Sequence, residues 1–306
     1  KIQLVMKLNT IKKEKNTEAL SMRIAKYSNA QNKVNLDDFR SNDPFHQELK
    51  RQSEIIFAPD PTGGDEKTKW FYERARGSYK MEELLQSPSQ RAKWKKIHPP
   101  KQMFKKLLIG KLEMTFLKYP DVVSMGDQKV FEKWHLYLHD CEEMAKEKKN
   151  SSYLIIPDEV FFKNLIAKMI VWNETLKLVS DHNKSMGKTP GTYRSILVPY
   201  TIAYYLHKSS SKIDLVGIWN NQAINEEMQK VLSEIIPFVE THLFSTDREI
   251  REYSKRGECW EKLTKKKSKF PNFVEEYFKN LESAPIEVHE EVIEKQKEKK
   301  IGRAHV

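Results

Sequence analysis

Apolar residues recur at helical spacing through most of this chain. Residues 158–180 carry Phe161, Leu165, Met169, Trp172, Leu176 and Val179, a helical period held over six turns. Residues 129–148 repeat the pattern, with Val130, Phe131, Trp134, Leu138 and Cys141 along one stripe. Residues 103–117 form a third such helix, stopped by Pro120, and residues 193–206 are apolar nearly all round, which predicts burial. Shorter periodic runs at 213–220, 226–242, 246–260 and 273–281 extend the helical array, and the charged stretch 286–300 is expected to fray. No repeat of 20–50 residues is visible.

The part before residue 78 reads differently. Residues 2–8 (I-Q-L-V-M-K-L) and 70–75 have strand character, and residues 17–27 and 44–57 have helical character, with Thr17 as N-cap of the first and Pro44 opening the second. Residues 36–40 suit a single helical turn. An amide-rich loop at 28–35 and a Pro/Gly breaker loop at 59–68 separate these pieces. The expected fold is therefore mainly α with a small N-terminal β portion (α+β), the helical array running from about residue 78 onward. The expected division is a mixed region at 1–77, a helical domain at 78–285 and a charged tail at 286–300. Residues 301–306 (I-G-R-A-H-V) translate ATC-GGA-AGA-GCA-CAC-GTC, a run common in sequencing adapters, and are expected to be an artefact. The first residue, Lys1, is not a methionine, so the chain is expected to be the later part of a longer protein.

Composition narrows the class. With 39% apolar and 32% charged residues, six Trp and fourteen Phe, the chain is globular rather than disordered. No apolar run approaches the roughly 18–20 residues of a bilayer span, so no membrane partner is expected. Two cysteines far apart, Cys141 and Cys259, suit a reducing compartment, and the cytoplasm is the expected location. The formal charge of +11 is clustered. Arg91, Lys93, Lys95, Lys96, Lys101, Lys105 and Lys106 form one concentration, and Lys262, Lys265, Lys266, Lys267 and Lys269 another. Such clusters suit a polyanion, or simply a solvated helix face.

Residues 70–77 (W-F-Y-E-R-A-R-G) carry the most chemistry. At period two, Trp70, Tyr72, Arg74 and Arg76 share one face, where rings could stack on bases and guanidinium forks grip phosphates. The alternative makes Trp70 and Tyr72 core residues, with Glu73 pairing an arginine. In the loop at 28–35, Asn29, Gln31 and Asn32 can read a base edge or close their own turns. His135 and His139 stand four apart, followed by Glu142, a spacing that can present two imidazoles to zinc. Leu136, however, replaces the glutamate a metalloprotease needs beside the first histidine. Asp60 followed by Asp65-Glu66-Lys67 has the letters of a nuclease metal site without the intervening strand, and Asp158-Glu159 suits a helix start better. Gly187-Lys188-Thr189-Pro190-Gly191 lacks the P-loop spacing and reads as a connector. No catalytic residue and no metal ligand is assigned in this chain.

Taken in order, several segments resemble the AIPR family, named for abortive infection phage resistance. Residues 29–34 (N-A-Q-N-K-V) are similar to its N-x-Q-N-x-V signature, and 37–43 (D-D-F-R-S-N-D) to the stretch that follows it. Residues 70–79 resemble its aromatic-Y-E-R-x-R-G-x-Y block. Residues 120–131 (P-D-V-V-S-M-G-D-Q-K-V-F) resemble its P-x-x-V-S-x-G-x-x-x-x-F element. Residues 251–260 (R-E-Y-S-K-R-G-E-C-W) resemble its C-W close. The resemblance implies a bacterial antiphage defence protein acting on or sensing nucleic acid, DNA or RNA. It further implies a nuclease-like segment upstream of Lys1 and a divalent metal there, this chain having no cofactor of its own. The implied contacts to nucleic acid are Arg74, Arg76, Asn29, Gln31 and Asn32, helped by Trp70 or Tyr72 and by Lys95 or Lys96. Two alternatives stay open: a module that senses a phage protein without touching nucleic acid, and an enzyme built on His135, His139 and Glu142.

Overall fold

A computed structural model describes residues 43–62, 64, 67–282 and 292. The expected strand at 2–8, the elements at 17–27 and 36–40, and the loop holding Asn29, Gln31 and Asn32 lie outside the described residues. So do residues 301–306 and, apart from Val292, the tail at 286–300.

Helix α1 (Pro44–Ile55) opens on a proline, whose missing N–H would have no partner in a first turn. An antiparallel bridge between Ala58 and Thr68 closes the loop that follows, and the chain enters β1 (Phe71–Glu73). Gly77, at a φ of 81° that favours glycine, turns it into α2 (Ser78–Leu85). After α3 (Pro88–Ile97) and a 3-10 turn at Pro100–Gln102 comes β2 (Met103–Lys105). It pairs in parallel with β1, setting Phe71 beside Met103, Tyr72 beside Phe104 and Glu73 beside Lys105. Among the described residues the sheet is therefore made within 71–105, and residues 103–105, expected as the first turn of a helix, form its second strand. Periodicity alone cannot separate a three-residue strand from the helix it runs into.

Helices α4 (Lys106–Phe116), α5 (Pro120–Val123) and α6 (Asp127–Lys148) follow, then α7 (Glu159–Ser185) and α8 (Arg194–Lys208). The chain continues through α9 (Leu215–Asn221), α10 (Glu226–Leu243), α11 (Ile250–Tyr253), α12 (Gly257–Lys265) and α13 (Asn272–Asn280). Four of these start on side-chain caps: Asp158 accepts from the Phe161 N–H, Asp214 from Gly217, Asn225 from Met228 and Glu249 from Glu252. The mainly helical architecture with a small β portion is the one the pattern predicts. One helix expected over 246–260 is instead broken between α11 and α12, where the Tyr200 hydroxyl donates to the Ser254 carbonyl at 2.7 Å.

Helix α7 is the hub. Every residue from 165 to 172 is buried, with α8, α9 and α10 packed on it together with α4 and α1. Helix α8 is enclosed in the same way from 196 to 206, as its all-round apolar character predicts. Helices α4 and α6 approach closely because Gly110 faces them without a side chain: a Cβ there would meet Phe131 Cα and Trp134 Cβ at 3.4 Å. One apolar core extends from Leu49 through Trp70 and Tyr72 to Val274 and Val292.

The Gly187–Gly191 connector is tied down from both sides. Asn183 donates its amide to the carbonyls of Pro190 and Thr192 at 3.2 and 2.9 Å. Lys188 and His182 both bond the Glu240 carboxylate, at 2.8 and 2.9 Å. Burial acts to raise Glu240, but the hydrogen bonds from Lys188 and His182 outweigh it and hold the carboxyl below its ordinary 4.5. A carboxylate depressed in the folded state contributes stability above its unfolded pKa and loses it as pH falls through the folded one. Stability to urea should therefore decline as pH falls below about 4.5, and Glu240→Gln should remove part of that decline. An unchanged pH profile in the variant would show that the clamp contributes nothing.

Candidate nucleic-acid interface

Both faces of β1 are buried. Strands of a parallel pair are commonly covered on both sides, and here the cover is aromatic. On one side Phe71 meets the rings of Tyr79, Trp94 and His98 at 5.1, 6.0 and 5.9 Å, and the Tyr79 hydroxyl donates to the His98 carbonyl. On the other side Tyr72 stacks on Phe104 at 5.1 Å and reaches His46. Trp70 is buried too, its indole N–H donating to the Gln222 side chain at 2.9 Å.

This corrects the stacking role expected for Trp70 and Tyr72. Neither ring has a face open to a base, because the strand runs through the core rather than along the surface. Their partnership with the arginines also fails on geometry, since the strand ends at Glu73 and Arg74 and Arg76 lie in the turn that follows. Arg74 is half-buried and Arg76 exposed. Lys95 and Lys96 are exposed on α3; Lys95 joins Lys80 on the Glu83 carboxylate, at 2.9 and 3.0 Å, while Lys96 faces solvent. Hydrogen bonds from Lys95 and then Lys80 hold Glu83 below the usual carboxylate range. Helix α3 covers the aromatic layer of Phe71 through Trp94, and Arg74 and Arg76 follow in the turn after the strand.

Helix α3 is unusual in composition. It carries Arg91, Lys93, Lys95 and Lys96, no acidic residue, and no buried side chain. His98 at its end adds no charge near neutrality, because burial against Trp94 pushes the imidazole below its ordinary value. An open cleft elsewhere, about 780 Å³ between α9, α10 and α13, is lined by Asp214, Glu227 and Glu276 against Lys230. Its charge disfavours a polyanion.

Behind β1 runs a buried polar chain that the sequence reading missed. The Tyr72 hydroxyl and His46 Nδ1 are 2.7 Å apart, His46 Nε2 and His135 Nε2 are 3.3 Å apart, and His135 Nδ1 stands 2.9 Å from the Phe131 carbonyl. A carbonyl only accepts, so His135 carries its proton on Nδ1 and accepts at Nε2 when neutral. His46 then donates from Nε2, and Tyr72 donates to His46 Nδ1. Burial raises the Tyr72 phenol well above its ordinary value, with Arg74 acting weakly against it. His135 is spoken for here and His139 is exposed, so the pair does not converge on a metal. Among the described residues no group of three His, Cys, Asp or Glu side chains could hold one. His46 left no local signal, its partners lying 26 and 89 residues away.

Two of the resembling blocks meet in this hydrogen-bonded chain: Tyr72 from Y-E-R-x-R-G and the Phe131 carbonyl from the P-x-x-V-S element. A model of that family, described as AIPR protein, matches residues 1–247. The chain belongs to the AIPR family. Membership points to abortive infection, a form of phage resistance. No curated protein and no solved structure gives a significant match. In this AIPR protein the C-W close is structural as well: Cys259 is buried, its thiol pushed up to about 11 by burial, and Trp260 packs edge-on to Tyr200 at 6.2 Å. Among the described residues no helix is long and apolar enough to cross a membrane.

The two halves of the Y-E-R-x-R-G block should separate in a stability measurement. Tyr72→Phe removes a donor from a buried chain and should cost about 1–3 kcal/mol. Arg76→Ala, on the surface, should stay within about 0.5 kcal/mol. Urea unfolding of the two variants checks this, and equal losses would contradict it.

Proposed function

We propose that this AIPR protein binds nucleic acid in the course of antiphage defence, through the basic surface made by Arg74, Arg76 and α3. The single observation that carries the reading is α3 itself, four cations on ten residues with no acid and no buried side chain. A helix that contributes so little to the core is free to present charge to phosphates. The loop of Asn29, Gln31 and Asn32 would add base-edge contacts. The protein works in the cytoplasm on phage-derived DNA or RNA, in keeping with buried free thiols at Cys141 and Cys259. Strand cleavage belongs to a nuclease-like segment preceding this region, with a divalent metal bound there.

A second reading rests on a different observation. Met81, Leu84 and Leu85 on α2 are 62%, 51% and 78% exposed, next to the basic helix. Such apolar exposure suits a module that grips a phage polypeptide, with no nucleic acid contact.

Salt dependence distinguishes the two. Nucleic acid affinity should fall steeply with salt, by about 0.9 log unit per log salt for each duplex phosphate neutralised and about 0.7 for single strands. The triple variant Arg76→Ala, Lys93→Ala, Lys96→Ala should shrink that slope by about two to three phosphates' worth while leaving the urea midpoint unchanged. Wild-type affinity in the triple variant would refute the basic-surface reading. A phage polypeptide released by Leu84→Asp but indifferent to salt would establish the second.

A further inference from the structure

Helices α2 and α3 are joined by ion pairs. Glu83 on α2 takes Lys80 of its own helix and Lys95 of α3, and Glu82 takes Lys50 of α1 at 3.0 Å. Both carboxylates of α2 are therefore engaged within the protein, and α3 has none. At the end of α2 the Gln86 carbonyl accepts from the Arg91 guanidinium at a long 3.5 Å, which sets that cation beside the residue following Leu85. The Nε of Arg91 has no hydrogen-bond partner, and Lys93 and Lys96 on the same helix are exposed. Just before this junction Met81, Leu84 and Leu85 project from α2, more than half exposed in each case. Their i, i+3, i+4 spacing puts all three on one face of the helix. Solvent thus meets an apolar row and, from its end onward, a row of cations.

The two rows ask different things of a ligand. Cations favour phosphates, whereas exposed aliphatic side chains gain only by leaving water against another apolar surface. A duplex meets the first demand and not the second. Its bases are stacked and paired with their faces hidden, and its outer surface is sugar and phosphate. Against a duplex Met81, Leu84 and Leu85 would stay wet or lie next to charge. A single strand can splay its bases, so that phosphates follow Arg91, Lys93 and Lys96 while base faces cover the α2 row. A polypeptide would use both rows only if it were acidic as well as apolar, but every nucleotide carries both features. We propose that this surface takes single-stranded nucleic acid in preference to duplex, with Met81, Leu84 and Leu85 as the side chains that contact bases. The proposal rests on the reading that α3 binds phosphates and names what lies beside them. The base-contacting role passes from Trp70 and Tyr72, which are enclosed, to aliphatic residues on the neighbouring helix.

Fluorescence anisotropy on the whole protein, at several salt concentrations, tests this with one sequence in three forms. These are the single strand (as DNA and as RNA), a duplex with the same number of phosphates, and a strand carrying abasic sites. The intact strand should bind at least about tenfold more tightly than either the duplex or the abasic strand. The triple variant Met81→Ser, Leu84→Ser, Leu85→Ser alters only exposed side chains and should keep the urea midpoint. Its affinity for the strand should fall about tenfold or more while the salt slope stays that of the wild type, because the phosphate contacts remain. The duplex and abasic comparisons use the unaltered protein, so they decide the matter even if the variant folds poorly. Duplex or abasic strand bound as tightly as the intact strand, or wild-type strand affinity in the triple variant, would overturn the inference and leave the phosphate-binding reading standing. Failure of every nucleic acid to bind would sink both. A phage polypeptide held on α2 without competition from the strand would also overturn it, by giving the apolar row another occupant.

Discussion

Over residues 165–172 helix α7 is enclosed on every side and has no open face on which to carry a charge, yet it carries one there at Lys168. The rest of the helical array is arranged around the answer to that constraint. Glu113 on α4 must sit within hydrogen-bond reach of Lys168, which fixes the separation and rotation of α4 against α7. Taking one partner away would strand the other, at a cost of about 3–5 kcal/mol, whereas replacing both by apolar residues is often nearly neutral. The pair therefore acts less as a source of stability than as a registration mark. Helix α4 is held in turn against α6 at Gly110, and α6 delivers His135 and the Phe131 carbonyl to the chain behind β1.

The two-stranded sheet depends on the same arrangement. Two three-residue strands are too short to be stable alone in water. They persist because the two aromatic side chains of β1 are engaged elsewhere: Phe71 in the aromatic layer of α2 and α3, Tyr72 on His46 and Phe104. The strand is a spacer between two packed layers, and the arginine-bearing turn after it is displayed by default. That arrangement separates a residue's place in a motif from its place in space. Tyr72 and Arg74 are neighbours in sequence, yet one is enclosed and the other begins the surface.

Much of the helical architecture was legible because long amphipathic stripes announce themselves. Residues 129–148 and 158–180 became α6 and α7 with ends shifted by a few residues, and the all-round apolar run at 193–206 became the enclosed α8. What could not be read depends on distant partners. The short β2 was absorbed into the helix it precedes, since three residues carry no period. Strand alternation at 70–76 suggested one exposed face, and only the helices on both sides reveal that it has none. His46, Lys168 and Glu113 each look ordinary locally, and their meaning comes from contacts made across tens of residues. The basic character of α3 was visible in the letters, but that none of its side chains is buried was not.

The hydrogen bond from Trp70 to Gln222 joins residues 152 positions apart. A ribosome adding about 5–20 residues per second needs about 8–30 seconds to make that partner after Trp70 is in place. During that interval the indole N–H must be satisfied by water, and the outer wall of β1 is incomplete. The nascent protein is thus a chain whose signature segment is synthesised well before the residue that closes it. In a defence protein this delay is also a period in which that segment is open to chaperones and proteases, before Gln222 at the end of α9 closes over it.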